Sequence, residues 1–402
     1  MRLVDSIVGN IERVIPHFQP IIAVDTQQIY SYEVLGRFKT DKGIQSLGPF
    51  FHNPKISIEE HIFIDRQIRR KAFGKLASET VDTRLFINLN PNWIYNFRNR
   101  RSDIPTIQFL REYNIDPSRI TVEITEDNFM DNIEELADIV QVYREVGCQI
   151  AIDDVGSGFI NFDRIAYIKP NILKLDLELV RKCTKESFFK EILTSFSIMA
   201  EKIGAFVLFE GIETEEQVQI ALSLGARYLQ GYYFSRPQGE FQNPFSFSSS
   251  LNNHISKYVD YSLWLQHSDQ TTSEAINKTI KDCLAGFDDM IIKSKILSVD
   301  FLKSVTQKVP QNVKRVYICD ERGDQRSPNY CFDNDKWDID ESFIGRNWTW
   351  RPYFLDNVVK SLYQEKGNLS TYYTDAHTGE KMRTFIYPIN GKLFICLDVT
   401  GS

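Results

Sequence analysis

From about residue 18 to residue 240, short runs rich in β-branched and aromatic residues alternate with segments whose apolar positions recur every three or four residues. A two-residue period alternating with a helical one is the pattern of a mostly parallel sheet wrapped by helices. Eight runs read as strands: Phe18–Val24, Ile29–Gly36, Leu85–Asn90, Ile120–Thr125, Gln149–Asp154, Ile172–Asp176, Phe206–Glu210 and Tyr228–Gln230. Between them, Ile133, Leu136, Ala137, Val140, Tyr143 and Val146 mark one helix face, and Phe189, Ile192, Leu193, Phe196, Ala200 and Ile203 mark another. Gly147 and Gly204 stand where C-terminal caps belong, Thr214 and Gln217 form a capping-box pattern, and Gly225 ends the helix they begin. The first two strands are separated by too few residues for a parallel crossover, so they form a hairpin. The predicted fold is α/β: a modified (β/α)8 TIM barrel with one antiparallel strand.

The alternation stops in a Ser/Phe-rich stretch near Asn243–Ser250, and a helical pattern follows. From about Val313 the sequence turns to strands and polar turns: Val316–Cys319, the turn Asp320–Gly323, Thr371–Tyr373, Thr384–Tyr387 and Leu393–Val399. The expected organisation is a barrel over 1–245, a helical connector over 246–290 and a small α+β sensor or dimerisation domain over 291–402.

Composition narrows the function. With 402 residues, 42% hydrophobic and 25% charged, the chain is ordinary globular protein. A formal charge of −7 argues against DNA or RNA and anionic membranes as partners, so a phosphate ligand needs local positive help. No apolar run is long enough to span a bilayer, and the first residues lack the features of an export signal. Cys148, Cys183, Cys283, Cys319, Cys331 and Cys396 have neither zinc-type spacing nor a disulfide pattern, which fits a cytoplasmic protein.

Chemistry in such barrels sits at the C-terminal mouth, and the strand ends here are acidic. Glu33, Asn88, Glu123, Glu126, Asp153, Asp154, Glu210 and Glu213 all lie there, with Lys174 ending a neighbouring strand. A lone glutamate at a strand end is ordinarily solvated or salt-bridged, and paired aspartates can merely cap a loop. Converging carboxylates are different, because each close pair repels by roughly 4 kcal/mol at an effective dielectric near 20. Protons or hard divalent cations must neutralise them. Paired metals suit phosphodiester displacement, Lys174 could orient the nucleophile or a phosphoryl oxygen, and Arg37 could grip a phosphate. A glycosidase needs only two carboxyl groups and gains nothing from the others. His17, His52 and His61 lack metal-type spacing.

At these residues the sequence resembles the EAL family, phosphodiesterases that linearise cyclic di-GMP. Phe18-Gln-Pro20 is similar to the family's opening Tyr-Gln-Pro, and Glu33-Val-Leu35 to its Glu-Ala-Leu signature. Asn88, Glu123-Ile-Thr-Glu126, Asp153-Asp154, Lys174-Leu-Asp176, Glu210-Gly-Ile-Glu213, Gln230-Gly-Tyr232 and Pro237 follow in family order. The resemblance implies Glu33, Asn88, Glu123, Asp153 and Asp154 as ligands of one or two Mg²⁺ or Mn²⁺ ions, with Ca²⁺ an inhibitory occupant. It implies Glu33, Lys174 and Glu210 as catalytic, and Gln19, Leu35, Arg37, Gln230 and Pro237 as bordering the substrate. Glu126 would steady the loop after Asp154. Attack by a metal-activated water would give linear pGpG.

The loop after the paired aspartates reads Val155-Gly-Ser-Gly-Phe-Ile-Asn161 where the family has Phe-Gly-Thr-Gly-Tyr-Ser-Ser, Gly36 stands for a Leu, and Phe209 for a small Ala. A slow or silent enzyme acting as a cyclic di-GMP receptor is therefore the alternative. The tail, through Val316–Gly323, Trp350–Phe354 and Gly391–Asp398, looks like PAS/Cache sensor folds, and the whole combination is similar to the YkuI type of Gram-positive EAL proteins. That resemblance implies a homodimer. In the tail, Arg351 and Tyr353 could bind a small ligand or could simply pack an aromatic core.

Overall fold

The computed structural model describes residues 7–79, 82–90, 104–125, 133–155, 162–183, 187–286 and 298–401, which form two compact units meeting in sequence at Asp260/Tyr261. In the N-terminal unit eight strands close a barrel: β1 (Val14–Ala23), β2 (Gln28–Thr40), β4 (Leu85–Leu89), β5 (Ile120–Thr125), β6 (Gln149–Val155), β7 (Ile172–Leu175), β8 (Phe206–Phe209) and β9 (Tyr228–Leu229). A short β3 (Gly43–Ser46) folds back on β2 outside the ring. Strand β1 runs antiparallel to both neighbours, β2 and β9, while the remaining barrel pairings are parallel. All eight predicted strands form, and the predicted hairpin supplies the antiparallel member.

Helices α1 (Ile58–Ser78), α2 (Pro105–Glu112), α3 (Ile133–Val146), α4 (Phe162–Ile168), α5 (Leu177–Cys183), α6 (Ser187–Lys202) and α7 (Glu215–Ser223) accompany the strands. The Thr214/Gln217 capping box opens α7, and a second box, Ser57/Glu60, opens α1. Gly147 (φ +111°) and Gly204 (φ +75°) end α3 and α6 in backbone that a side chain would strain.

Side chains alternate across each strand, and this period places the site. Ile21, Phe86, Ala151, Ile172, Leu208 and Tyr228 form a separate apolar cluster that plugs the barrel interior. Two residues further along each parallel strand or its continuation come Asn88, Asp153, Lys174, Glu210 and Gln230. On antiparallel β1 the count reverses, from Ile21 to Gln19. One layer above the plug, the lining turns from apolar to polar all round.

In the C-terminal unit, β10 (Val313–Asp320), β11 (Asn329–Asp333), β12 (Lys336–Asp340), β13 (Asn368–Leu369), β15 (Lys381–Asn390) and β16 (Leu393–Thr400) form an antiparallel sheet in the order β12-β11-β10-β16-β15-β13, and β14 (Tyr373–Thr374) also pairs with β15. The long α8 (Ser248–Leu284) contributes Ile276, Ile280 and Cys283 to a core with Phe301, Leu302 and Val305 of α9 (Ser298–Thr306) and one sheet face. Phe354 and Val358 of α10 (Pro352–Gln364) join Tyr317, Ile386 and Phe394 in a second cluster. Hairpin β11–β12 was not expected, and of the predicted run Thr371–Tyr373 only Tyr373 lies in a strand, β14, with β13 preceding it. Five described cysteines are free thiols. No described helix is long and apolar enough to cross a membrane.

At Gly231, two residues after the end of β9, a Cβ would lie 2.0 Å from the Ile212 carbonyl oxygen, whereas at Gly239 it would lie 3.8 Å from His17 Nε2. Gly231→Ala is expected to destabilise the barrel by about 3 kcal/mol or more, and Gly239→Ala to stay within about 0.5 kcal/mol of the parent. Denaturant unfolding of both variants checks this; equal stability would show that the β9 loop yields freely.

Candidate active site

Lys174, on β7, is fully buried, and its Nζ lies 2.8 Å from Glu123 Oε1, 2.9 Å from Asp153 Oδ1 and 3.1 Å from Glu210 Oε2. Three carboxylates from β5, β6 and the end of β8 thus converge on one ammonium. Glu33 on β2 adjoins them: its Oε2 accepts from Gln230 Nε2 at 2.6 Å and its Oε1 from Asn88 Nδ2 at 3.3 Å. Oxygen atoms of Asp153, Asp154 and Glu210 approach within 4.8 Å of one another.

Register explains why Asp154 can join. The β6–β7 pairing shifts between Ile152 and Val155, and Asp154 adopts φ +56°. An aspartate tolerates this left-handed backbone better than most residues. The irregularity turns two consecutive carboxylates, which a regular strand would send to opposite faces, towards the same mouth.

The electrostatics are dominated by burial. Desolvation raises the Glu123 carboxyl well above its ordinary value; Lys174 opposes this, and Glu33 and Asp153 add to it. Glu210 is pushed up to about 8, again by burial first; Lys174 opposes this, and Asp153 and Glu33 add to it. Burial would pull Lys174 down, but the surrounding carboxylates push it well above the ordinary lysine range. Four carboxylates, of Glu33, Glu123, Asp153 and Glu210, therefore act on one ammonium, Asp154 adds a fifth beside Asp153 and Glu210, and Glu123 Oε2 and Glu210 Oε1 are buried without a hydrogen-bond partner among the described residues. An all-oxygen donor set with orphaned acceptors and surplus negative charge fits a hard divalent cation.

Beside this cluster lies a cavity of about 360 Å³ lined by Leu35, Arg37, Asn88 and Asn90 together with Asp65 and Arg69 of α1. Arg37 Nη1 donates to Gly36 O at 2.9 Å, and burial lowers its pKa. Gly36, a departure from the expected pattern, leaves no vacancy: a Cβ there would lie 2.6 Å from Ile68 Cδ1. Phe209 is wholly buried in the core.

Other expected residues sit at the margin. Gln19 is paired across the ladder with Glu33 and donates to Ser235 O at 3.3 Å. Pro237 O accepts from His17 Nδ1 at 3.0 Å. Glu213 is drawn away from the cluster into a half-exposed pair with Arg181 at 2.6 Å. Glu126 and residues 156–161 lie outside the described residues. Sequence reasoning missed Asp65 and Arg69. Arg69 Nη2 bonds Asp65 Oδ2 at 2.6 Å and reaches Asn88 O at 3.2 Å, so it supports the end of β4 from a helix. Burial raises the Asp65 pKa; four-residue spacing on α1 was the only sequence signal for the pair.

The profile of the EAL domain matches residues 4–237, and that of an EAL-domain associated signalling protein domain matches residues 244–402. The chain belongs to the EAL-domain family. It is 33% identical over 400 residues, 99% of this chain and 97% of the relative, to an uncharacterised EAL-domain containing protein, YkuI of Bacillus subtilis. The crystal structure of B. subtilis YkuI in complex with substrate c-di-GMP and calcium superposes with a TM-score of 0.91 at 32% identity, covering all of both chains. The cyclic di-GMP phosphodiesterase RocR of Pseudomonas aeruginosa is 27% identical over 237 residues, 56% of this chain and 57% of RocR. The EAL barrel and the associated C-terminal domain are thus both present.

A carboxyl whose folded pKa of about 8 exceeds its ordinary 4.5 keeps its proton in the folded chain while the unfolded chain ionises. The stability it lends is full below about pH 4.5 and is lost as pH rises through 8. In chelator, the unfolding temperature is expected to fall between pH 5 and 8.5, and Glu210→Gln to reduce that slope. A slope unchanged in the variant would place the titrating group elsewhere.

Proposed function

We propose that this EAL protein hydrolyses one phosphodiester of cyclic di-GMP to give linear pGpG. The observation that carries the reading is the convergence of buried carboxylates on Lys174 beside an arginine-bearing cavity. Glu33, Asn88, Glu123, Asp153 and Asp154 would hold one or two Mg²⁺ or Mn²⁺ ions. When bound, such ions supply Lewis acidity to the phosphoryl oxygens and activation of water; Ca²⁺ would occupy the same oxygen donors as an inhibitor.

The chain's own residues do the rest. Lys174 holds Glu123 and Asp153 in place and offers positive charge at the mouth. Glu210 carries a proton site close to neutrality, suited to proton exchange during the displacement. Gln230 and Asn88 fix both oxygens of Glu33. Arg37 grips a phosphate with its fork of donors, Leu35 supplies an apolar wall for one guanine, and Gln19 and Pro237 border the substrate. Support also comes from the relatives: RocR bears the phosphodiesterase activity in its name, and YkuI was crystallised with c-di-GMP.

The altered run Val155–Asn161 favours a second reading, a receptor that binds cyclic di-GMP with little turnover. We take the working assembly to be a homodimer located in the cytoplasm and the tail to be a PAS/Cache-like regulatory domain. Exposed Phe162, Tyr167, Ile192 and Ile198 on α4 and α6 support association of copies.

With Mg²⁺ or Mn²⁺, purified protein sedimenting at twice the chain mass is expected to convert cyclic di-GMP to pGpG. Chelator should abolish turnover, and Glu33→Ala should lower it at least about 100-fold. Tight binding with no turnover at any metal concentration would select the receptor reading; equal turnover by parent and Glu33→Ala would sink both the site and the activity.

A further inference from the structure

His254 lies on α8, three residues past Leu251, which is wholly buried in the barrel core. The imidazole is only 4% exposed, and the chemistry of the barrel mouth makes no use of it. Its Nε2 shares a hydrogen bond with Tyr233 OH at 2.9 Å, and the two rings meet edge to face with centroids 5.5 Å apart. Nδ1 is buried with no hydrogen-bond partner among the described residues. Glu215 Oε1 of α7 stands 3.9 Å away, beyond hydrogen-bond reach, and pairs instead with Lys257 at 2.5 Å. Gln219 of α7 donates to the His254 carbonyl at 3.1 Å, so the backbone that carries the ring is fixed as well.

Tyr233 is the far end of a short, tightly bonded segment. Gln230, three residues earlier, donates to Glu33 Oε2 at 2.6 Å, a shorter bond than the 3.3 Å one from Asn88 to Oε1. Between Gln230 and Tyr233 the chain brackets Ile212: Ile212 N donates to Gln230 O at 3.0 Å, and Ile212 O accepts from Tyr233 N at 2.9 Å. Phe234 N and Ser235 N both donate to Gly231 O at 3.1 Å. A turn bonded this closely to its neighbour has little room to deform, so a displacement at the Tyr233 hydroxyl reaches the Gln230 amide.

We propose that the Tyr233–His254 pair is a clasp between α8 and the turn after β9 that positions Gln230 and, through it, Glu33, a role that rests on Glu33 being the metal ligand proposed above. Both are positioning residues. The titratable and charged groups facing the ring are Glu215 from α7, Lys257 from α8 itself and Tyr233 from the turn. Burial lowers the His254 pKa from its ordinary 6.5; Glu215 opposes this, and Lys257 adds to it. The folded chain therefore favours the neutral ring more than the unfolded chain does. What the ring contributes is present above pH 6.5 and is lost as the pH falls below that value.

The test measures hydrogen exchange of the Gln230 and Tyr233 amides in the full chain between about pH 5.5 and 7.5, corrected for intrinsic rates, alongside cyclic di-GMP affinity in Ca²⁺ by calorimetry. At the upper pH, Tyr233→Phe and His254→Leu should each lower both protection and affinity at least about fivefold, the worth of one hydrogen bond. The double variant should lose no more than either single one. His254→Gln, whose amide can take the place of Nε2, should keep both within about twofold but lack the fall in protection that the parent shows below pH 6.5. Protection decides the clasp even where the parent binds no cyclic di-GMP, a result that would count against the barrel site alone. Unchanged protection in Tyr233→Phe, additive losses in the double variant, unchanged affinity in a variant that has lost protection, or the parent's acid fall persisting in His254→Gln would each overturn the clasp.

Discussion

A lysine with no access to water must be held by charge, and Lys174 is held by carboxylates from three other strands of the barrel. The constraint works in both directions. Without the ammonium, Glu123 and Asp153 would be buried charges without compensation, a loss of about 3–5 kcal/mol for a broken buried pair. Without further neutralisation, one ammonium cannot balance five carboxylates, so protons must stay on the cluster or cations must enter it. The fold stabilises a site that is electrostatically incomplete, and that incompleteness is what makes it a candidate for metal chemistry.

Barrel geometry makes the convergence possible. An apolar plug closes the interior below, and the next inward position on successive strands is polar, so side chains distant in sequence meet in one layer. Two departures from regularity refine it. Antiparallel β1 places Gln19 across from Glu33, and the shifted register at Asp154 adds a carboxylate that a regular strand would have turned outward.

Much of this was legible in the chain. The eight strands follow from apolar runs, and α3, α6 and α7 from helical periodicity, glycine stops and one capping box. The cluster residues were visible because carboxylates ending apolar strands are costly unless they are used. What was hidden depends on contacts between elements remote in sequence. Arg69 looks like one more charge on a charged helix until α1 lays it against the Asn88 carbonyl. Hairpin β11–β12 carried a signal that went unread: Lys336-Trp-Asp-Ile-Asp340 alternates polar and apolar, and Asn334 and Asp335 turn the chain in left-handed backbone, but each strand is only five residues long. Arg351 and Tyr353 stand in an aromatic-rich run whose sequence could not tell a core from a cavity; the structure shows both, with Phe354 packed inside and Arg351 stacked at the rim.

The central claim is that the Lys174-centred cluster takes up divalent cations by exchanging them for protons. Calorimetric titration of Mn²⁺ into metal-free protein near pH 7, repeated in buffers of different ionisation enthalpy, measures both the uptake and the protons released. Saturable binding with proton release, lost on replacing Asp153 and Asp154 together by asparagine, is the predicted result. No uptake, or uptake that the double replacement leaves intact, would contradict the account.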